Sequence, residues 1–232
     1  MRPGQFYFNG INSLDYNMVI QHRPDRIGGE HNFTSSSATN RNGLIFRDEK
    51  TYNNGTLTLD IVFLNPEKDS YIDEVDELFD VQNYVDFESY YDPDYIYRVK
   101  PTKTPSFTNT RKDQRAVTFT LELSVYPFKF LSEGLKTTTY DGLVTLTNPT
   151  KYEAKPKITI RGTGDCTLTV NDITFHIFGL NGEYVLDSEL LEEHGAGALQ
   201  GLDFPTFIPG ANTIYASTND FDVLPRYNRR AV

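Results

Sequence analysis

The chain has no tryptophan, one cysteine, two methionines and four histidines among its 232 residues. Each scarcity removes a class of chemistry. Cys166 alone can form no internal disulfide and no cysteine-based metal site. In Asp165-Cys166-Thr167-Leu168, an expected strand, it reads as a small buried thiol, not as a nucleophile. The histidines do not converge in sequence. His22 and His31 lie in a polar stretch. His176 alternates with Phe175 and Ile177 and so reads as facing solvent or a polar interface. His194 follows Glu192-Glu193, which matches neither His-Glu-x-x-His nor its inverted form, and Gly195-Ala196-Gly197 after it reads as a mobile loop. There is no Gly-x-Ser-x-Gly elbow and no phosphate-cradling glycine loop. The expectation is a protein with no catalytic residues, no cofactor and no metal. Scattered carboxylate pairs of the kind that hydrolyse glycosides stay open, although without tryptophan any aromatic sugar platform must be Tyr or Phe.

Long apolar runs are missing too. No stretch of about 18 apolar residues is present, so no helical membrane span is expected. Met1-Arg2-Pro3-Gly4 leads straight into Phe6 and Phe8 with no signal-peptide apolar region, which predicts a chain made and kept in a cytoplasm, or assembled from one. The net charge of −10 argues against stable nucleic-acid binding, which rests on clustered Lys and Arg.

Aromatic side chains are abundant: 16 Phe and 15 Tyr supply bulky apolar surface and, with Thr-rich segments, favour strands. The length suits one large or two small domains. Asn9-Gly10 marks a turn needing positive φ, and Ile11 to Ile20 reads as strand-rich. His22 to Asn42, with Gly28-Gly29 and Thr34-Ser35-Ser36-Ser37, reads as a loop or flexible hairpin tip. Asn42-Gly43 closes it and Leu44-Ile45-Phe46 begins a strand. After Asn53-Asn54-Gly55, Leu57, Leu59, Ile61 and Phe63 recur with the period of two of a half-buried strand.

Asn65-Pro66 breaks that strand, and Asp69 or Ser70 can cap a helix near 70–83. Tyr71, Ile72, Val75, Leu78 and Phe79 form its apolar stripe. Glu67 to Asp94 holds eleven carboxylates against Lys68 alone. Their spacing fits no EF-hand loop, and a solvated acidic face is expected. Strands resume at Tyr95–Val99. In Ala116–Tyr126 the residues Val117, Phe119, Leu121, Leu123 and Val125 share one face, and the strand is expected to stop at Tyr126-Pro127.

Leu131 to Gly142 is polar and marks a boundary between domains at 1–131 and 132–232. Beyond it, short β segments are expected at Leu143–Thr147, Lys157–Arg161, Thr167–Val170, Ile173–Phe178, Tyr184–Leu186 and Thr213–Ser217. Asn171-Asp172 and Asn181-Gly182 read as hairpin turns between them. The fold class is mostly β with one short helix, and the second domain reads as a sandwich or jelly-roll. On class alone, a non-catalytic carbohydrate-binding sandwich serving adhesion to a host surface is the alternative function.

Taken in order, several landmarks resemble the distal tail protein family of long-tailed, non-contractile bacteriophages. They are Phe8-Asn9-Gly10-Ile11-Asn12-Ser13-Leu14-Asp15, Arg41-Asn42-Gly43-Leu44 and Val125-Tyr126-Pro127-Phe128 in the first domain. In the second they are Thr147-Asn148-Pro149, Ala154-Lys155-Pro156-Lys157-Ile158, Asp187-Ser188, Phe204-Pro205, Pro209-Gly210-Ala211-Asn212 and Leu224-Pro225-Arg226-Tyr227, the last with Tyr where Trp is common. The resemblance implies an N-terminal ring-forming domain and a C-terminal galectin-like β-sandwich. It implies a homo-oligomeric, usually hexameric, ring at the tail tip or baseplate of the virion, assembled in the host cytoplasm. The implied partners are the tail tube protein, a tail-associated lysin or tail fibre protein, and receptor-binding or baseplate proteins. It implies passage of DNA without stable nucleic-acid binding, and no membrane insertion. Under that resemblance Asp73, Asp76, Glu77 and Asp80 either keep the helix soluble or line the channel.

Overall fold

The computed structural model describes residues 1–25, 27, 31–64, 68–108, 116–201 and 203–231. Gly28-Gly29 and the expected break at Asn65-Pro66 lie outside these residues. The chain forms two compact units, Met1–Lys129 with Arg230–Val232, and Phe130–Arg229. The last three residues thus belong with the first unit, not with a domain 132–232.

The first unit holds β1 (Phe6–Phe8), β2 (Ile11–Asn12), β3 (Met18–Ile20), β4 (His31–Ser37), β5 (Leu44–Tyr52), β6 (Gly55–Leu64), α1 (Lys68–Phe79), β7 (Val85–Ser89), β8 (Tyr95–Pro101), β9 (Ser106–Thr108) and β10 (Ala116–Leu131). The main sheet runs β2-β1-β7-β8-β10-β6-β3, with β9 also on β10. β10 and β6 are antiparallel, with Phe119 opposite Ile61 and Leu121 opposite Leu59. Their alternation places Leu59, Ile61, Val117, Phe119, Leu121 and Leu123 in one core. α1 lays Val75 and Phe79 on that core, the Phe79 ring 4.9 Å from Phe8 and 6.0 Å from Phe119. Each such buried side chain contributes roughly 1.5–3 kcal/mol.

Local signals explain much of this unit. Asn9 (φ 50°) and Gly10 (φ 78°) form the two-residue turn that sets Phe8 opposite Ile11, because both central positions need the left-handed region. Between β2 and β3 the chain makes a 3-10 turn, Ser13–Tyr16. The Asn12 side chain accepts the Leu14 N–H, and Asn17 at φ 52° closes the turn.

Four expectations need correction here. The helix spans Lys68–Phe79, not 70–83, so Asp69 and Ser70 fall within its span. β4 occupies His31–Ser37, where a loop or hairpin tip was expected to begin at His22; the tip itself is confined to residues 38–43. β10 runs through Pro127 to Leu131. Its ladder with β6 ends at Val125 opposite Gly55, so no β6 carbonyl needs an N–H from Pro127, whose own carbonyl accepts the Ala231 N–H at 2.8 Å. The polar connector after it is short, because Ser132–Leu135 forms a 3-10 turn and the next strand starts at Thr138.

The second unit holds β11 (Thr138–Asn148), β12 (Lys157–Val170), β13 (Ile173–Asp187), β14 (Glu192–Gly195), β15 (Ala198–Leu199) and β16 (Gly210–Leu224); β17 (Asn228–Arg230) follows and pairs with β10. Its sheet runs β11-β16-β12-β13-β14, with β15 on β13. The expected short segments are therefore joined into long strands. Asn171-Asp172 is a hairpin turn, with Asn171 at φ 54° between Val170 and Ile173. Asn181-Gly182 is not: Thr163 opposite Asn181 and Gly162 opposite Gly182 keep β13 paired to β12. Gly179 and Gly182, both at positive φ, bend β13 without ending it. β12 pairs β16 only at its two ends, losing register between Ile160 and Leu168. Ile158, Ile160, Leu168, Ile177, Leu186, Ile214, Phe221 and Val223 fill one core.

Candidate assembly surfaces

The histidines and the cysteine do not make a site. Cys166 is buried in β12 opposite Ile177. His176 is exposed, its ring stacked near Phe178. His194 is exposed beside Glu192, and His31 pairs with Asp48 at 3.3 Å. Among the described residues no three His, Cys, Asp or Glu side chains are grouped as metal ligands, and no helix is long and apolar enough to cross a membrane.

The landmark residues that suggested a family act inside the fold. Asp187 and Arg226, 39 positions apart, form a buried two-pronged ion pair, with Nη1 donating to Oδ1 at 2.5 Å and Nη2 to Oδ2 at 2.8 Å. Glu189 lies 3.4 Å from the Arg226 Nε. Asp187 Oδ1 also accepts the N–H groups of Glu189 and Leu190. Burial alone would raise the Asp187 carboxyl. The Arg226 hydrogen bond, the Leu190 N–H and the Arg226 charge outweigh it and hold the carboxyl below its ordinary value. Arg226 sits at φ 53°, a conformation costly for a residue with a Cβ, and the ion pair holds it there. Asn148 donates to the Tyr152 carbonyl, and its side-chain oxygen accepts from Thr150. Asn212 donates to the carbonyls of Ile208 and Gly210 and accepts the Ile208 N–H. These are turn-building side chains, and they are structural.

The exposed features lie elsewhere, and one is the β4–β5 ribbon. Phe33 (54% exposed), Leu44 (53%) and Phe46 (62%) share one face of it. The register sets Ser35 opposite Phe46 and Ser37 opposite Leu44, and the Phe33 and Phe46 rings meet edge-on at 5.2 Å. Among the described residues β4 and β5 pair only with each other. A lone two-stranded ribbon is marginal in water, so its base needs support. Tyr52 provides it, packing edge-on against His31 at 4.4 Å and Phe128 at 5.6 Å, with the Arg230 guanidinium 4.6 Å from its ring centre. The ribbon is anchored at its base and carries three exposed apolar side chains on one face beyond it. Sequence reading missed it because the Ser run looked like a loop; the available signal was the alternation of Leu44 and Phe46 after Asn42-Gly43.

Two further surfaces belong to the first unit. α1 exposes Asp73, Glu74 and Glu77 on the side away from its buried Val75 and Phe79. On the sheet face opposite the α1-packed one, Thr56, Thr58, Asp60, Thr118 and Thr120 are exposed and Glu122 is half-buried. Thr120 donates to Asp60 at 2.9 Å, and Lys103 holds Glu122 at 3.1 Å, keeping that carboxyl below its ordinary value.

No family model matches the chain, and no curated protein does. Solved structures do. The SPP1 Dit (gp 19.1) protein, described as a paradigm of the hub adsorption apparatus in phages infecting Gram-positive hosts, superposes with a TM-score of 0.67 at 14% identity. That match covers 94% of this chain and 96% of that one. A chain of the phage p2 baseplate in its activated conformation superposes with a TM-score of 0.54 at 8% identity, covering 97% and 98%. Across nearly its whole length, and in both units, the chain has the fold of a Dit-like phage tail hub protein.

Proposed function

We propose that this chain is a non-enzymatic structural subunit of a phage tail tip or baseplate, and that its first unit assembles copies into a closed ring. The observation that carries the reading is the fold match to the SPP1 Dit hub over 94% of the chain. The ring joins the tail tube to tail-associated and receptor-binding proteins and leaves a channel for DNA. The second unit serves as the docking platform. A ring requires a head-to-tail contact whose rotation closes. The β4–β5 ribbon supports such a contact, offering an anchored apolar face with Phe33, Leu44 and Phe46 to the neighbouring copy. The open face of β6 and β10 suits the channel wall. Its Thr56, Thr58, Asp60, Thr118, Thr120, Glu122 and Ser124 are hydroxyls and carboxylates, and the Lys103 beside Glu122 is already paired with it, so this part of the face offers phosphates little to hold.

The test is mass in solution and negative-stain imaging of the full chain, alone and with its tail-tube neighbour, over a range of salt. The expected result is a closed homo-oligomer that grows more complete with salt or with the neighbour. A chain that stays monomeric at high concentration, at high salt and with its tail neighbours present overturns the reading and favours the carbohydrate-binding alternative.

A further inference from the structure

Asparagine precedes glycine at four places in the chain: Asn9-Gly10, Asn42-Gly43, Asn54-Gly55 and Asn181-Gly182. At such a step the glycine nitrogen can close on the asparagine side chain, because no Cβ obstructs its approach. Closure needs a side-chain amide able to turn and a backbone not pinned by its hydrogen bonds. The fold restrains three of the four steps. Asn54 donates its amide to the Tyr84 hydroxyl and to Ser124 at 2.9 Å, and the buried Gly55 sits in the ladder opposite Val125. Asn181 and Gly182 stay paired with Thr163 and Gly162 of β12, and the Asn181 N–H donates to the Ala196 carbonyl at 3.0 Å. Asn9 and Gly10 are exposed, but they fill a two-residue turn closed by Phe8 opposite Ile11, and the Asn9 N–H donates to the Asp86 carbonyl at 2.9 Å. Asn42-Gly43 differs. Both residues are exposed in the tip between β4 and β5, and the ladder stops short of them, at Ser37 opposite Leu44. A Cβ built on Gly43 meets nothing within 4 Å, so the step is surrounded by open space.

We infer that Asn42-Gly43 is a self-modification site, at which the folded chain deamidates ahead of its other Asn-Gly steps. The Gly43 backbone nitrogen gives up its proton and attacks the Asn42 Cγ. The Cγ–Nδ2 bond breaks, and the side-chain nitrogen leaves as ammonia with that proton. Water then opens the cyclic imide at either carbonyl, leaving aspartate or isoaspartate. Water is the sole co-reactant, and nothing is oxidised or reduced. The new carboxylate stands two positions before Leu44, which is 53% exposed on the apolar face of the ribbon. The isoaspartate product also adds a methylene to the main chain just where the ladder begins. Both changes oppose packing of that face on a neighbouring copy, the first by putting charge into an apolar contact. This consequence rests on the ring reading; the modification itself does not.

The test is storage of the full chain at neutral pH over weeks, both folded and in urea, with peptide mapping of the aspartate and isoaspartate forms at each of the four steps. In the folded chain Asn42 should convert at least about tenfold faster than Asn9, Asn54 or Asn181, and in urea the four rates should converge, because local opening is what separates them. An Asn42→Gln chain should lose the fast conversion. Equal rates at the four steps of the folded chain, a faster rate at any step other than Asn42, or a spread of rates that survives in urea overturns the inference. In sedimentation velocity a fresh Asn42→Asp chain should form less oligomer than Asn42→Gln; equal amounts overturn the link to assembly. A native chain that forms no oligomer under any condition fails the ring reading, and the folded-chain rates then decide the modification alone.

Discussion

Replacing Arg226 by methionine should unfold the second unit well before the first. In the native chain Asp187 is 4% exposed and Arg226 8%, so neither charge is compensated by water. The substitution removes both guanidinium bonds and leaves the carboxylate with only the N–H groups of Glu189 and Leu190. Breaking one partner of a buried pair costs about 3–5 kcal/mol. For a unit of the size of Phe130–Arg229, each kcal/mol moves Tm by about 4–8 °C, so a fall of at least about 12 °C is expected. The Asp187→Leu/Arg226→Met double variant should lose less than the sum of the single variants, because no unpaired charge remains buried. The pH dependence has a definite sign. The Asp187 carboxyl is held below 3.8 in the folded chain. The stabilisation from the pair is therefore complete above that unfolded value and disappears as pH falls through the lower folded value. The gap between native and Arg226→Met chains should narrow below about pH 4. Calorimetry and urea titration, with hydrogen exchange to assign the transition, measure these effects. A cost under about 1 kcal/mol, or additive single variants, would refute the argument that the pair holds the unit together.

A Phe33→Ser/Phe46→Ser chain should keep its monomer stability within about 0.5 kcal/mol, because both side chains are exposed, yet lose the oligomer in sedimentation velocity; an unchanged oligomer would remove the ribbon from the contact. Cys166 should react with a thiol reagent only on unfolding, since it is buried, and Cys166→Ser should cost about 1–3 kcal/mol in denaturant titration by burying a hydroxyl. Gly195→Ala should release the β14 edge, seen as faster exchange at Glu192–Gly195, because a Cβ there collides with the Glu183 carbonyl and φ is +124°. Oligomer mass should rise with added salt, since assembly brings together copies of the Glu67–Asp94 segment with its eleven carboxylates and salt screens them; a mass that falls with salt would show attraction between charges instead.

Residue order alone determined the features that depend on neighbours a few positions apart. The alternation of Val117 to Val125 set which face of β10 is buried, the helical spacing of Ile72, Val75 and Phe79 set which side of α1 meets the core, and Asn9-Gly10 set a turn because few residues tolerate positive φ. Tertiary structure decided the rest, because strand limits and buried charge depend on partners distant in sequence. Asn181-Gly182 looks like a turn, yet β12 stays paired across it and converts it to a bend. Pro127 looks like an end, yet the β6 ladder has already stopped at Val125, so no β6 carbonyl is left waiting for its missing N–H. The Ser run of β4 becomes strand only because Leu44–Tyr52 lies alongside to bond its backbone. Asp187 and Arg226 are legible as landmarks but not as a pair, since only the folding of β13 and the chain after β16 brings them within 2.8 Å and takes both out of water.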